Sequence, residues 1–194
     1  MRVTVIEQPT AEPVSLAEAK AHMRVDLSDD DALIEALITA ARQWVESVTN
    51  RAIGLQLIEV AYPRFMREVE LPRPPLRSVV GAYYRDQQGV DQTVDPATYR
   101  VIPSSDNQPA MLEREYQQAW PSPTYRSERA VWVRYYAGWD TTGSPADIVP
   151  AAIKQAILLV VADMYEHREA MLDAQTYENV CARRLLAVHA VPSL

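Results

Sequence analysis

Hydrophobic positions recur every three to four residues near both ends of the chain, and in short strand-like runs through its middle. Ile34, Leu37, Ile38, Ala41, Trp44, Val45 and Val48 form one apolar stripe, the spacing of a helix with a single buried face. Ser28-Asp29-Asp30-Asp31 starts this helix, with acidic side chains at the positive end of its dipole. Thr49-Asn50 ends it, because Asn accepts the left-handed backbone common just past a helix terminus. Upstream, Ser15-Leu16-Ala17-Glu18 has capping-box form and predicts a short helix to about Arg24. Towards the other end, Pro150 suits a first helical turn, and Ile153, Ile157, Val160, Val161 and Met164 follow as core candidates. A final helix is predicted over residues 177–190, carrying Val180, Leu185, Leu186 and Val188 and stopped by Pro192.

Residues 55–139 change character and become rich in Val, Tyr, Pro and Thr. Strand candidates are 57–62, 68–71, 79–84, 99–102 and 111–113, with 130–136 the clearest of the set. Asp86-Gln87-Gln88-Gly89 reads as a hairpin turn. Pro72-Arg73-Pro74-Pro75 has no N–H to donate at its prolines and is expected to be an extended connector. The fold class that follows is α+β. N- and C-terminal segments make a helical bundle (residues 14–54 and 147–190), and residues 55–146 insert a small antiparallel sheet or sandwich into one domain over 1–194. The stripe of the first long helix is expected to pack on that of the helix after Pro150.

Composition narrows the functional classes. Acidic residues outnumber basic ones 26 to 19, a net charge of −7, which argues against a dedicated DNA-binding surface. It leaves room for DNA passing nearby, since an acidic wall repels a polyanion and lets it slide. Cys181 is the only cysteine, so no intramolecular disulfide forms. No apolar run has the length of a membrane span, and the N-terminus lacks the apolar core of a signal peptide. A cytosolic site of synthesis is expected.

Catalytic chemistry finds little support. His22, His167 and His189 are far apart in sequence and none belongs to a metal-type pair. His167 invites an acid/base role, but a solvated position near a helix end explains it better, because active sites need converging groups. Asp29–Asp31 as a cation site lacks the rest of an oxygen-ligand set. Cys181 has no base within reach: His189 lies eight residues on, about 12 Å along a continuous helix. A buried structural thiol is the expectation. The Pro72–Pro75 P-x-x-P pattern is weak, and a rigid connector accounts for it. No cofactor, metal or catalytic residue is expected.

The ordered set of motifs resembles the head–tail connector (adaptor) family of tailed bacteriophages and gene transfer agents. The resemblance runs through Pro13-Val14-Ser15-Leu16-Ala17-Glu18-Ala19-Lys20-Ala21-His22-Met23-Arg24-Val25-Asp26, the acidic start at Asp29–Asp31, Ile38-Thr39-Ala40-Ala41-Arg42-Gln43-Trp44-Val45-Glu46 and Thr49-Asn50-Arg51. It continues in Leu71-Pro72-Arg73-Pro74-Pro75-Leu76-Arg77-Ser78-Val79, Val133-Arg134-Tyr135-Tyr136-Ala137-Gly138-Trp139, Val149-Pro150-Ala151-Ala152-Ile153 and Tyr165-Glu166-His167-Arg168-Glu169. Asn50 stands where many relatives have Gly, and residues 183–190 match the closing pattern only loosely.

The resemblance implies a virion neck protein, made in the host cytoplasm, that forms a ring of identical subunits, usually twelve. Such a ring docks beneath the portal protein, extends the DNA channel without specific DNA binding, and offers a platform to the next neck or stopper protein. No membrane is involved. The surplus of apolar residues at the chain end makes Leu185, Leu186, Val188, Val191 and Leu194 candidates for portal contact, with completion of the subunit's own core as the competing reading. Trp120 and Tyr125, in a Pro-rich loop, are candidates for contact with a neighbour or neck protein, and Trp120 equally suits a cap on the sheet's core. Two other classes stay open: another neck component (stopper or tail-completion protein), and a small ligand-binding or enzymatic α+β domain.

Overall fold

In the computed structural model, residues 1–105, 108–121, 128–140, 149–167 and 179–192 are described. The chain opens on strand β1 (Arg2–Glu7), then helices α1 (Leu16–Met23) and α2 (Asp31–Thr49). Strands β2 (Gln56–Tyr62), β3 (Glu68–Leu71), β4 (Leu76–Arg85), β5 (Asp91–Thr93), β6 (Tyr99–Ile102), β7 (Ala110–Arg114) and β8 (Val131–Ala137) follow. Helices α3 (Ala151–Glu166) and α4 (Val180–Leu186) complete the described elements, with 3-10 turns at Pro96–Thr98 and Ala187–His189.

The capping box forms as expected. The Ser15 hydroxyl accepts from the Glu18 N–H at 3.2 Å, and the Glu18 carboxylate accepts from the Ser15 N–H at 2.8 Å. These bonds hold the Glu18 carboxyl below its ordinary range. Asn50 takes the left-handed conformation (φ 53) that ends α2. The start of α2 lies at Asp31, the last of the four acidic-turn residues, with Asp30 as N-cap. Two of those acids act as ties: Asp30 accepts from the Tyr165 hydroxyl of α3 at 2.6 Å, and Asp31 pairs with Lys20 of α1 at 2.5 Å.

The helical core is the predicted one. Ile34, Ile38, Ala41 and Val45 of α2 meet Ile153, Ile157, Val160 and Val161 of α3, and Ala182 and Leu186 of α4 close the cluster. Each fully buried Ile or Leu there contributes about 1.5–3 kcal/mol.

The β region is a two-sheet sandwich. One sheet has the order β1-β2-β8-β4-β5, the other β3-β7-β6, and every described strand pair is antiparallel. Ile58, Val60, Val133 and Tyr135 from the first face Val69, Leu71, Ala110 and Leu112 from the second. The Asp86–Gly89 hairpin is present, with the Asp86 carboxylate accepting from the N–H groups of Gln88 and Val90.

Several expectations need correction. Strand β1 was not read from the sequence, and it means the larger sheet takes its edge from residues ahead of the helices. The connector at residues 72–75 is not extended: Arg73 sits at φ 60 and bends the chain from one sheet into the other. Its carbonyls, free of competing N–H groups, serve as acceptors for the Tyr135 hydroxyl (Pro72, 2.7 Å), the Ala52 N–H (Pro74, 3.2 Å) and the Gly138 N–H (Pro75, 2.9 Å). The last helix is shorter than predicted, beginning at Val180 and tightening to a 3-10 turn at Ala187; Tyr177 lies outside the described residues. Cys181 is exposed, not buried. The face of α4 turned to the core is the one carrying Ala182 and Leu186, and Cys181 is not on it.

Charged side chains join the two halves. Arg42, 1% exposed on α2, donates to the Glu12 carboxylate at 2.8 Å and to Glu46 at 3.0 Å. Glu46 also accepts from the Ile53 N–H at 2.9 Å and the Gln56 amide at 2.8 Å, so one carboxylate links α2 to the entry of β2. Beside it, Gly54 bridges Trp139, bringing the entry and exit of the β region together.

Candidate interaction surfaces

The chain end divides into an inward and an outward part. Leu186 is fully buried and Val191 nearly so, while Leu185 is half-buried and Val188 is 74% exposed. The tail is laced to the end of α2. The Val191 N–H donates to the Thr49 carbonyl (2.9 Å), the Asn50 amide to the Val191 carbonyl (3.1 Å), and Arg51 Nε to the His189 carbonyl (2.5 Å). Of the candidates for portal contact, Leu186 and Val191 therefore belong to the subunit's own packing. Val188, with Leu185 at the edge, faces outward, and Leu194 lies outside the described residues.

Trp120 caps the sandwich. Its ring stacks on Phe65 at 4.7 Å with an interplanar angle of 5°, and lies 6.3 Å from Tyr99. Its indole N–H is buried without an acceptor among the described residues. Tyr125 lies outside the described residues. The exposed aromatic of this end is one the sequence reading passed over: Tyr116, 83% exposed at the turn after β7. The turn is held by the Glu115 N–H on the Thr98 carbonyl (2.9 Å), the Arg114 guanidinium on the Gln118 carbonyl (3.0 Å), and Gln117 at φ 60. A lone aromatic inside Glu115-Tyr116-Gln117-Gln118 was the available signal, since nothing local could bury it.

The outer face of the larger sheet carries an ionic and aromatic ladder. Glu59 on β2 accepts two bonds from Arg129 (2.8 and 3.0 Å) and one from Arg134 on β8 (2.9 Å). Arg129 lies over the Trp132 ring at 4.1 Å, and Trp132 stacks on Tyr83 at 5.8 Å. Burial pushes the Glu59 carboxyl up, but the hydrogen bonds and charges of the two arginines outweigh it, and the net shift is downward. A folded-state pKa below the unfolded one gives stability that is present above the unfolded value, about 4.3. That stability is lost as pH falls through the folded value. Glu59→Gln is expected to flatten the acid limb of a pH–stability curve below about pH 5. An unchanged acid limb would show that the ladder contributes nothing.

A cleft of about 200 Å³ opens where β1, the 72–75 bend and the tail meet, lined by Met1, Val3, Glu70, Pro72, Pro109 and Val191 among others. Burial raises the Glu70 carboxyl above its ordinary range, and it has no ion-pair partner among the described residues.

His22 and His167 are exposed, and His167 lies 3.3 Å from the Asp163 carboxylate of its own helix. Among the described residues, no group of three or more His, Cys, Asp or Glu is placed to hold a metal, and no helix is long and apolar enough to cross a membrane.

Residues 13–112 match the family model described as phage gp6-like head-tail connector protein. A stretch of 41 residues is 54% identical to head completion protein gp6 of Enterobacteria phage HK97, covering 21% of this chain and 38% of that relative. The fold is shared along the whole chain with proteins of gene transfer agent particles. A chain from the neck of an empty particle, computed with C6 symmetry, gives a TM-score of 0.79 at 20% identity, covering 100% of this chain and 97% of that one. A chain from a native particle's neck, computed with C12 symmetry, gives 0.73 at 22% identity, covering 100% and 98%. At these identities the likeness is one of fold, and the family rests on the sequence match: the chain belongs to the phage gp6-like head-tail connector family.

Proposed function

We propose that the chain is a structural subunit of a head–tail connector ring of twelve copies that docks beneath the portal, extends the DNA channel and receives the next neck or tail protein. The observation that carries this reading is the match of residues 13–112 to the connector family. Its fold, shared over the full length with chains of gene transfer agent necks, supports the same reading. A net charge of −7 suits a channel wall that DNA passes without binding. No catalytic role is assigned. The test is to mix the protein with its cognate portal and image the product: a second ring stacked on the portal is expected, and unaccompanied portal rings at saturating protein would overturn the reading.

For the portal contact we take the outward part of the described chain end, Val188 with Leu185 at its edge. Val188→Asp places a charge where a partner would bury an apolar group, at a position that the subunit itself leaves exposed. Portal binding is expected to weaken by roughly tenfold or more, with the thermal midpoint of the isolated subunit unchanged. Wild-type affinity would remove this surface from the contact.

A further inference from the structure

A ring closed by rotation needs two different patches on each subunit, one to insert and one to receive. The described surface offers one of each. Tyr116 stands 83% exposed on a turn fixed by three hydrogen bonds (Glu115 N–H to the Thr98 carbonyl, Gln118 N–H to the Glu115 carbonyl, and Arg114 to the Gln118 carbonyl), so little ordering is left to lose when it is covered. Arg114 is exposed at the base of that turn. The receiving patch is the cleft of about 200 Å³ around Glu70, room for one aromatic ring, with prolines, valines and Arg73 also in its lining. Its Glu70 carboxylate is half-buried and lacks an ion-pair partner among the described residues. The Tyr116 ring matches the cleft in size, and Glu70, which forms no ion pair with the Arg73 of the same lining, offers Arg114 a carboxylate to face.

Their placement excludes an exchange within one chain. Tyr116 follows the end of β7 and Pro109, on the cleft wall, precedes its start. The strand between them spans roughly 13 Å at about 3.3 Å per residue. Knob and hole therefore sit at opposite ends of the smaller sheet, the arrangement that a head-to-tail contact requires.

We propose that neighbouring copies of this chain join by seating the Tyr116 turn of one subunit in the Glu70 cleft of the next, with Arg114 facing the Glu70 carboxylate. This rests on the ring reading and names its lateral contact. The rim of the cleft is formed by β1 and the laced tail, so assembly also covers the corner where those segments meet.

The test uses a Cys181→Ser background, into which Tyr116→Cys and Pro109→Cys are introduced together. Oxidation of protein assembled on the portal is expected to give a ladder of disulfide-linked oligomers on non-reducing gels. Each single-cysteine control should remain monomeric. A bridge inside one chain is ruled out, because Cα atoms more than about 7 Å apart cannot be joined by a disulfide. In parallel, Tyr116→Ser is expected to weaken each lateral contact roughly thirtyfold, as loss of a buried aromatic anchor does, with the subunit's thermal midpoint unchanged. Rings that yield only monomers on the gel, or Tyr116→Ser rings formed at wild-type yield, would overturn the contact and leave the ring reading standing. A wild-type protein that forms no ring on its portal would overturn both.

Discussion

Replacing Glu46 with alanine is expected to lower the free energy of unfolding by about 3–5 kcal/mol, read from urea titration. The carboxylate accepts from Arg42, the Ile53 N–H and the Gln56 amide, and the group is 7% exposed. Its removal leaves the Arg42 guanidinium, 1% exposed, with Glu12 as its remaining ion-pair partner and strands two buried donors. Water cannot readily replace what is lost, so the desolvation cost stays in full. The double variant Arg42→Met/Glu46→Leu should lose less than the sum of its single changes, because it removes the buried guanidinium that losing Glu46 alone would leave under-partnered. A loss under about 1 kcal/mol for Glu46→Ala would mean that solvent reaches the network.

The second large effect is expected at Gly138. This residue sits at φ +105 just past β8, and a Cβ added there would meet the Gly54 carbonyl oxygen at 2.1 Å and its carbon at 2.6 Å. Both obstacles are backbone, and they lie at the bridge that holds Gly54 to Trp139. Neither the dihedral strain, about 1–3 kcal/mol, nor the steric overlap, a further 1–3 kcal/mol, can be relieved by turning a side chain. Gly138→Ala should therefore cost about 4 kcal/mol, a fall of roughly 8–16 °C in the thermal midpoint for a chain of this size. A midpoint within about 2 °C of wild type would show that the two strands separate more easily than their hydrogen bonds suggest.

The helical half was legible because its signals are local. Ser15 and Glu18 carry a capping box in four residues, and the α2 stripe repeats often enough to identify its face. Arg42 and Glu46 escaped notice because both are charged, and only tertiary structure shows that each is buried with its partner. Strand β1 escaped because six residues whose alternation breaks at Val5-Ile6 mean little until β2 supplies the other half of the ladder. Arg73 bends the proline connector for a reason no spacing rule contains: the chain must leave one sheet and enter the other. At the candidate surfaces, apolar composition drew attention to the chain end but not to which residues face out. Leu186 and Val191 turn inward, Val188 outward, and the division follows from the lacing to Thr49, Asn50 and Arg51.

The bridge between Gly54 and Trp139 also bears on the order in which the molecule can assemble. Helices α2 and α3 form one core although the whole β region separates them in sequence. Closing a floppy loop of roughly a hundred residues would cost about 4 kcal/mol of chain entropy before any contact repaid it. Once the sandwich has formed, its two ends lie side by side and the tether between the helices shrinks to the few residues flanking the bridge. The sheets then act as a clasp, and the helices can find each other late and quickly instead of early and rarely.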